Sequence, residues 1–348
     1  MADELLLLEK MSNKYGSNPD FVLAGGGNTS FKDDKILYIK GSGTSLATIK
    51  AADFVRIDRA ELEKTWGKTY SADDAAREKE VLADMMASRV KGEERRPSVE
   101  TLLHDLFPQK FVLHVHPALI NGMTCGQDGK KIAEALFPGM VWADASRPGY
   151  VLAAYCKKLL DEHKAKYGDD ANLLFLQNHG VFFAGNTVEE IDEVAEKVMS
   201  VLSAFVGKPL DEVIKETVGT GYVQFTDDEL AKEFTVSKNS PTPDHIVYCK
   251  ANYLEEEGDV APYTLKKDIE AFTEKNGYAP RVIILKGKGA YIVGADEKQM
   301  NTVKVVFGDH CKVQHYSKYF GGYLGMTDDL VNFIVNWEVE SYRAKQNK

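Results

Sequence analysis

The run Phe111-Val112-Leu113-His114-Val115-His116-Pro117 leaves the chain little conformational choice. Successive side chains of a strand face opposite ways, so His114 and His116 point together while Phe111, Leu113 and Val115 fill the other, buried face. Two neutral imidazoles side by side at the end of a strand are half of a zinc site. Eight histidines in 348 residues also fall two apart by chance. The metal reading therefore needs a third ligand.

His179, in Asn178-His179-Gly180 at the end of an apolar strand, supplies one. Alone, a histidine before glycine marks a turn. As a third imidazole it completes a set that leaves a fourth zinc position open for substrate. Glu100 lies two residues past Ser98, which reads as a helix N-cap. An acid there suits the helix dipole, and it becomes a general base if that turn faces a metal. Two glycine turns follow strands, Gly25-Gly26-Gly27-Asn28-Thr29-Ser30 and Gly41-Ser42-Gly43-Thr44. Their backbone N–H groups and polar side chains suit a phosphate dianion. Neither turn matches the dinucleotide or P-loop pattern.

The surrounding pattern is α/β. Helices are expected over residues 1–16, 78–90, from Pro97 onward, 151–167 and 188–206. Strands are expected over 21–24, 36–39, 53–57, the His114 run, 173–176 and 181–184. Gly207-Lys208-Pro209 interrupts the periodicity and divides the chain into domains 1–206 and 207–348. The second domain reads as α/β, with a hairpin near 281–285 and 290–293. No internal repeat is visible.

Composition excludes several partners. No apolar run approaches the roughly 20 residues that span a bilayer. Leu5-Leu6-Leu7-Leu8, flanked by Glu4, Glu9 and Lys10, reads as the core stripe of a short helix and not a signal peptide. A net charge of −10 without a dense basic cluster argues against nucleic acid. Four scattered cysteines with no CxxC fit reduced cytosolic thiols, so a cytoplasmic protein is expected.

Five motifs together resemble the class II (zinc) aldolase/adducin family. They are Gly26-Gly27-Asn28-Thr29-Ser30, Gly41-Ser42-Gly43, Pro97-Ser98-Val99-Glu100, His114-Val115-His116-Pro117 and Asn178-His179-Gly180, in order across residues 1–206. The resemblance is closest to the aldolase half of bifunctional rhamnulose-1-phosphate aldolase/alcohol dehydrogenases. Leu46-Ala47-Thr48-Ile49, Thr101-Leu102-Leu103-His104, Thr242-Pro243-Asp244-His245, Pro280-Arg281-Val282 and the segment from Trp337 to Lys345 extend it, and the dehydrogenase half has no counterpart here.

The resemblance implies a three-layer domain, with a central mainly antiparallel sheet flanked by helices, followed by a smaller C-terminal α/β domain. It implies cleavage of rhamnulose 1-phosphate or fuculose 1-phosphate to dihydroxyacetone phosphate and a hydroxyaldehyde, in sugar catabolism. A pentulose-phosphate 4-epimerase and a non-catalytic adducin-like interaction module are the alternatives. His114, His116 and His179 are carried over as ligands of Zn2+ or another divalent metal, and Glu100 as the acid/base. Asn28, Thr29, Ser42, Gly43 and Ser98 are carried over as phosphate donors. His104, four residues after Glu100, reads as a structural or supporting residue, with a surface helix pair with Glu100 as the alternative. Many members place a tyrosine proton donor shortly before the Pro-Gly that is here Pro148-Gly149. Residues 140–147 hold none, which leaves Asp144, Arg147 or a residue of another subunit. A homo-oligomer, commonly a tetramer in this family, is expected, with a small phosphorylated sugar as the substrate and no nucleic-acid or membrane partner. Thr242-Pro243-Asp244-His245 reads either as a recognition loop or as a turn and cap.

Overall fold

From Phe111 to Val115 every side chain is buried, on both faces of the strand. Only a sheet covered by helices on both sides allows this. In the computed structural model, which describes residues 2–237 and 239–336, the chain forms two units, Met1–Ser203 and Ala204–Lys348. The segment from Trp337 to Lys345 lies outside the described residues.

The first unit carries strands β1 (Asn28–Lys32), β2 (Ile36–Ile39), β3 (Val55–Asp58), β4 (Phe111–Val115), β5 (Val141–Ala143), β6 (Leu173–Leu176) and β7 (Gly180–Gly185). They form one sheet in the order β3-β2-β1-β4-β7-β6-β5. Every neighbouring pair is antiparallel except β5 with β6. Its helices are α1 (Ala2–Gly16), α2 (Arg59–Glu63), α3 (Asp74–Ala87), α4 (Thr101–Leu106), α5 (Ala118–Thr124), α6 (Gly129–Leu136), α7 (Tyr150–Tyr167) and α8 (Val188–Val206).

Alternation along the strands divides the core into two layers. Phe111, Leu113, Val115, Phe175, Val181 and Phe183 pack with Leu8 and Met11 of α1, Ile120 of α5, and Ile191, Ala195, Val198 and Leu202 of α8. Val112, Leu174, Leu176 and Phe182 pack on the other face with Val81 of α3, Leu102 and Leu103 of α4, and Leu152 and Cys156 of α7. Fully burying one such aromatic side chain contributes about 2–3 kcal/mol. The unit is the expected three-layer α/β sandwich with a mainly antiparallel sheet.

Two local expectations do not hold. Phe21-Val22-Leu23-Ala24 is not a strand. Phe21 and Val22 both donate their N–H to Asn18 O, Leu23 is exposed and Ala24 has a φ of 54°. The strand is instead Asn28–Lys32, drawn from residues that read as a glycine turn. Ser98 is also not the helix cap. Helix α4 starts at Thr101 with Glu100 as its N-cap, while Ser98 Oγ accepts from Glu100 N at 3.3 Å in the preceding turn.

The second unit comprises α9 (Leu210–Val218), β8 (Tyr222–Thr226), α10 (Glu229–Glu233), α11 (Pro243–Cys249), β9 (Leu254–Glu256), α12 (Pro262–Asn276), β10 (Val282–Leu285), β11 (Gly289–Gly294), α13 (Glu297–Ser317) and α14 (Asp328–Asn336). Its sheet runs β8-β11-β10-β9. Val282, Ile284 and Ile292 pack against Val303 and Phe307 of α13, and Ile283 and Val293 against Val213 of α9 and Leu265 of α12. Thr242-Pro243-Asp244-His245 opens α11, with proline in the first turn and Thr242 Oγ1 2.8 Å from His245 Nδ1. It is a helix start, not a recognition loop.

Contrary to the sequence reading, the fold repeats itself. The order β8-β11-β10-β9 reproduces β4-β7-β6-β5, with the same single parallel pair at the end. The registers agree residue for residue. Leu176 pairs with Gly180 and Leu285 with Gly289 across the hairpins, while Phe111 pairs with Gly185 and Tyr222 with Gly294. The caps of the following helices match too. Thr187 Oγ1 accepts Glu190 N and Glu190 Oε2 accepts Asn186 N; Asp296 Oδ1 accepts Gln299 N and Gln299 Oε1 accepts Ala295 N.

Candidate metal centre

The site forms where β4 ends beside the β6–β7 hairpin. His114 lies on β4, stacked on Phe182 with ring centroids 4.1 Å apart. Its Nδ1–H donates to Val181 O at 3.0 Å, which fixes the ring and turns Nε2 toward the neighbouring imidazole. His116, just past the strand, brings its own Nε2 to 2.9 Å from that atom. His179 enters from the hairpin, where Asn178 adopts a φ of 58°, a left-handed turn that asparagine tolerates. Gly180 is required for close approach: a Cβ there would stand 2.5 Å from His116 Cδ2 and 2.6 Å from Val115 O.

One ligand atom from each of His114, His116 and His179 falls within 4.8 Å of the other two. Burial, then the neighbouring His114 and His179 rings, pushes the His116 imidazole down to about 4, and burial pushes His179 down as well. Neutral, converging imidazole nitrogens suit a divalent metal and disfavour protonation. The donor set fits a divalent metal of the zinc type held by three protein ligands.

Glu100 completes the ring. Its Oε1 is 3.3 Å from His114 Nε2 and 3.4 Å from His179 Nε2. Burial acts to raise its carboxyl, but the His114 ring, the Asn28 amide and His179 outweigh it and hold the group well below the usual carboxylate range. Asn28 pairs with His114 in register across β1 and β4, on the same face, and its Nδ2–H donates to Glu100 Oε2 at 2.5 Å. With that amide donating, Asn28 Oδ1 accepts from His104 Nε2–H, and His104 Nδ1 accepts from Ser30 Oγ–H at 2.7 Å. His104 is therefore no surface helix pair. It is fully buried, kept neutral by that burial, and anchors the amide that aims Glu100. The signal for it lay in its place on the apolar side of α4, next to Leu103.

The phosphate donors named from the sequence are brought together in part. Asn28 Nδ2 also reaches Ser98 Oγ at 3.3 Å. The Gly41–Thr44 turn runs antiparallel to the Ser98 segment: Gly41 bridges to Pro97, Ser42 N donates to Arg96 O and Ser98 N donates to Lys40 O. Ser42, Gly43 and Ser98 thus sit side by side. Thr29 does not join them. Strand alternation turns it to the opposite face, where its Oγ1 is 2.7 Å from Ser12 Oγ of α1. Asp144 also stays apart. It follows β5, three strands from β4, or roughly 14 Å at ordinary strand spacing. Its carboxylate is engaged by Lys130, Trp142 Nε1 and Tyr155 OH. Arg147 is paired with Asp74. Lys40, which no sequence motif singled out, is buried beside both glycine turns.

Residues 14–205 match the model of the Class II Aldolase and Adducin N-terminal domain. The uncharacterized oxidoreductase YuxG of Bacillus subtilis is 25% identical over 401 aligned positions, covering 95% of this chain and 57% of that protein. The chain thus spans little more than half the length of that relative. Among solved structures, the N-terminal class II aldolase domain of a conserved protein from Thermoplasma acidophilum is 28% identical. It covers 57% of this chain and 92% of its own, at a TM-score of 0.49. An l-fuculose-1-phosphate aldolase from Thermus thermophilus is 14% identical and covers 58% and 94%, at a TM-score of 0.38.

Proposed function

We propose that this chain, which belongs to the class II aldolase and adducin family, is a metal-dependent aldehyde-lyase of ketose 1-phosphates. Rhamnulose 1-phosphate is the first substrate and fuculose 1-phosphate the second. The observation that carries the reading is the meeting of His114, His116 and His179 with the Glu100 carboxylate in contact with two of them. These imidazoles would hold Zn2+ or a similar divalent ion. When bound, it supplies Lewis-acid stabilisation of the charge that builds on the substrate oxygens as the C3–C4 bond breaks.

The protein's own part is positioning and proton transfer. Glu100, ionised and aimed by Asn28, removes the C3 proton of dihydroxyacetone phosphate in the addition direction and returns it in cleavage. Asn28, Ser98, Ser42 and Gly43 orient the phosphate. The proton on the C4 hydroxyl needs a further acceptor. With Asp144 and Arg147 engaged elsewhere, that role falls to a neighbouring subunit of a homo-oligomer. No helix among the described residues is long and apolar enough to cross a membrane.

Metal analysis of the purified chain should return about one divalent ion per chain, and rhamnulose 1-phosphate should yield dihydroxyacetone phosphate. An epimer in place of cleavage products moves the assignment to a pentulose-phosphate 4-epimerase. A chain that takes up no metal moves it to an adducin-like interaction module.

A further inference from the structure

We propose that Ser30 and His104 are positioning residues that hold the Asn28 amide one way round and so set the rate of proton transfer by Glu100, an inference that rests on the aldehyde-lyase reading above. An amide has a donor end and an acceptor end, and only one orientation serves the site. Asn28 Nδ2–H donates to Glu100 Oε2 at 2.5 Å and reaches Ser98 Oγ at 3.3 Å. Turned over, Asn28 would set Oδ1 against an ionised carboxylate, acceptor against acceptor. What forbids the turn is the partner at the far end. Asn28 Oδ1 meets His104 Nε2, and His104 Nδ1 meets Ser30 Oγ at 2.7 Å. A neutral imidazole carries one N–H, and a hydroxyl donating to Nδ1 keeps it on Nε2. The amide oxygen is then held as its acceptor.

The relay is built into the core. Ser30, His104 and Asn28 are all buried. Ser30 and Asn28 stand two apart on β1, on the face that carries His114 across the sheet. His104 covers that face from α4, its ring edge-on to Phe182 with centroids 5.4 Å apart, the same Phe182 on which His114 is stacked. Lys32, next along that face of β1, donates from Nζ to His104 O at 2.8 Å and ties down the backbone behind the ring. Apolar groups of the same shape can fill such a space at little cost, so stability does not call for a polar chain here. Its outer end is the Glu100 carboxylate, whose Oε1 lies 3.3 Å from His114 Nε2. Each hydrogen bond from Ser30 to Glu100 thus has one direction, and a misaimed carboxylate transfers its proton slowly.

The test compares His104→Phe, His104→Gln and Ser30→Ala, each alone and combined with Asn28→Ala. All should keep the metal content of the unaltered chain. In His104→Phe, kcat for cleavage of a ketose 1-phosphate should fall about ten- to a hundredfold, with KM changed less than about threefold. His104→Gln, whose side-chain amide can donate to Asn28 Oδ1, should recover most of that loss, and Ser30→Ala should lose only about three- to tenfold. On the Asn28→Ala background the same substitutions should change kcat less than about twofold, because the residue through which they act is gone. A residue that only supports the fold would lower kcat on both backgrounds. That result overturns the proposal, as does a His104→Phe chain with unaltered kcat. If His104→Phe does not fold, Ser30→Ala with and without Asn28→Ala decides by the same rule. Nitrogen NMR of the metal-free protein needs no turnover. His104 should carry its proton on Nε2, and the Asn28 side-chain amide protons should exchange faster with solvent in His104→Phe and Ser30→Ala. A proton on Nδ1, or an Asn28 amide indifferent to both substitutions, overturns the relay. A chain that meets the NMR expectations and cleaves no ketose 1-phosphate keeps the relay and loses the aldolase reading instead.

Discussion

The two units share one frame and differ in what stands on it. By the strand registers, His114, His116 and His179 of the first unit correspond to Phe225, Asp227 and Lys288 of the second. The second unit has histidines of its own, and two of them, His245 and His310, lie with ring centroids 5.0 Å apart. There, however, His310 meets Tyr253 OH at 3.0 Å through Nδ1 and Tyr323 OH at 3.1 Å through Nε2. A histidine whose two nitrogens both have hydroxyl partners is a satisfied core residue. In the first unit the Nε2 atoms face one another, and a carboxylate closes the gap. The first unit also adds β1 to β3, which bring in Asn28 and Lys40, whereas among the described residues β8 ends its sheet with no strand in the place of β1. The candidate site follows those additions and the three histidine positions, not the fold the units share.

The largest effect should separate the units outright. His116→Ala should abolish stoichiometric metal binding and lower cleavage by about a thousandfold or more. Asp227→Ala, at the corresponding position of the second unit, should leave both within about twofold, since exposed substitutions are usually near neutral. Elemental analysis and a dihydroxyacetone phosphate assay on the two purified variants decide it. Equal losses in both would mean that the second unit takes part in the site. Glu100→Gln comes next. It keeps the hydrogen bond from Asn28 but carries no charge, so cleavage should fall about 10²- to 10⁴-fold while the metal is retained. Retained activity would remove Glu100 from the proton transfer.

The same contrast explains what was legible in the chain. The ligand strand, the hairpin at 173–184 and helix 188–206 announce themselves through alternation, glycine and apolar spacing. Strand β1 does not. Asn28, Ser30 and Lys32 occupy its site face and only Phe31 is apolar, so a polar strand that serves the site looks like the tail of a glycine turn. The relay through Ser30, His104 and Asn28 was hidden for the same reason, because its members come from β1 and α4 and meet only in the fold. The repeat escaped notice because fold needs pattern, not identity. Between 173–185 and 282–294 only Leu176/Leu285, Gly180/Gly289 and Gly185/Gly294 are identical, while the apolar positions and the helix caps persist. Thr29 misled because one residue along a strand changes the face.

Packing offers a smaller test of the comparison. Phe182 is fully buried and lies under His114, while its counterpart Tyr291 is only partly buried. Phe182→Ala should cost about 3–5 kcal/mol of stability, and Tyr291→Ala about 1–2 kcal/mol. Denaturant unfolding of the two variants measures both. Equal costs would mean that the second sheet is packed as tightly around this position as the first.

The smallest effect is a difference in pH response. Ala143 of the first unit, opposite Leu176, corresponds to Glu256 of the second, opposite Leu285. Burial first, then the like charges of Asp268 and Glu257, pushes the Glu256 carboxyl up from 4.5 to about 7. The folded chain therefore keeps this proton between pH 4.5 and 7 while the unfolded chain releases it, so stability falls as pH rises through that window and is level above it. Glu256→Gln removes the titration. At pH 8 it should stabilise the protein by the order of 1–2 kcal/mol, one pKa unit being about 1.4 kcal/mol, and near pH 4.5 it should change little. Melting temperatures of both proteins across pH 4.5 to 8 measure this, and a gap between them that stays constant with pH would show that Glu256 ionises in the fold as it does in the unfolded chain.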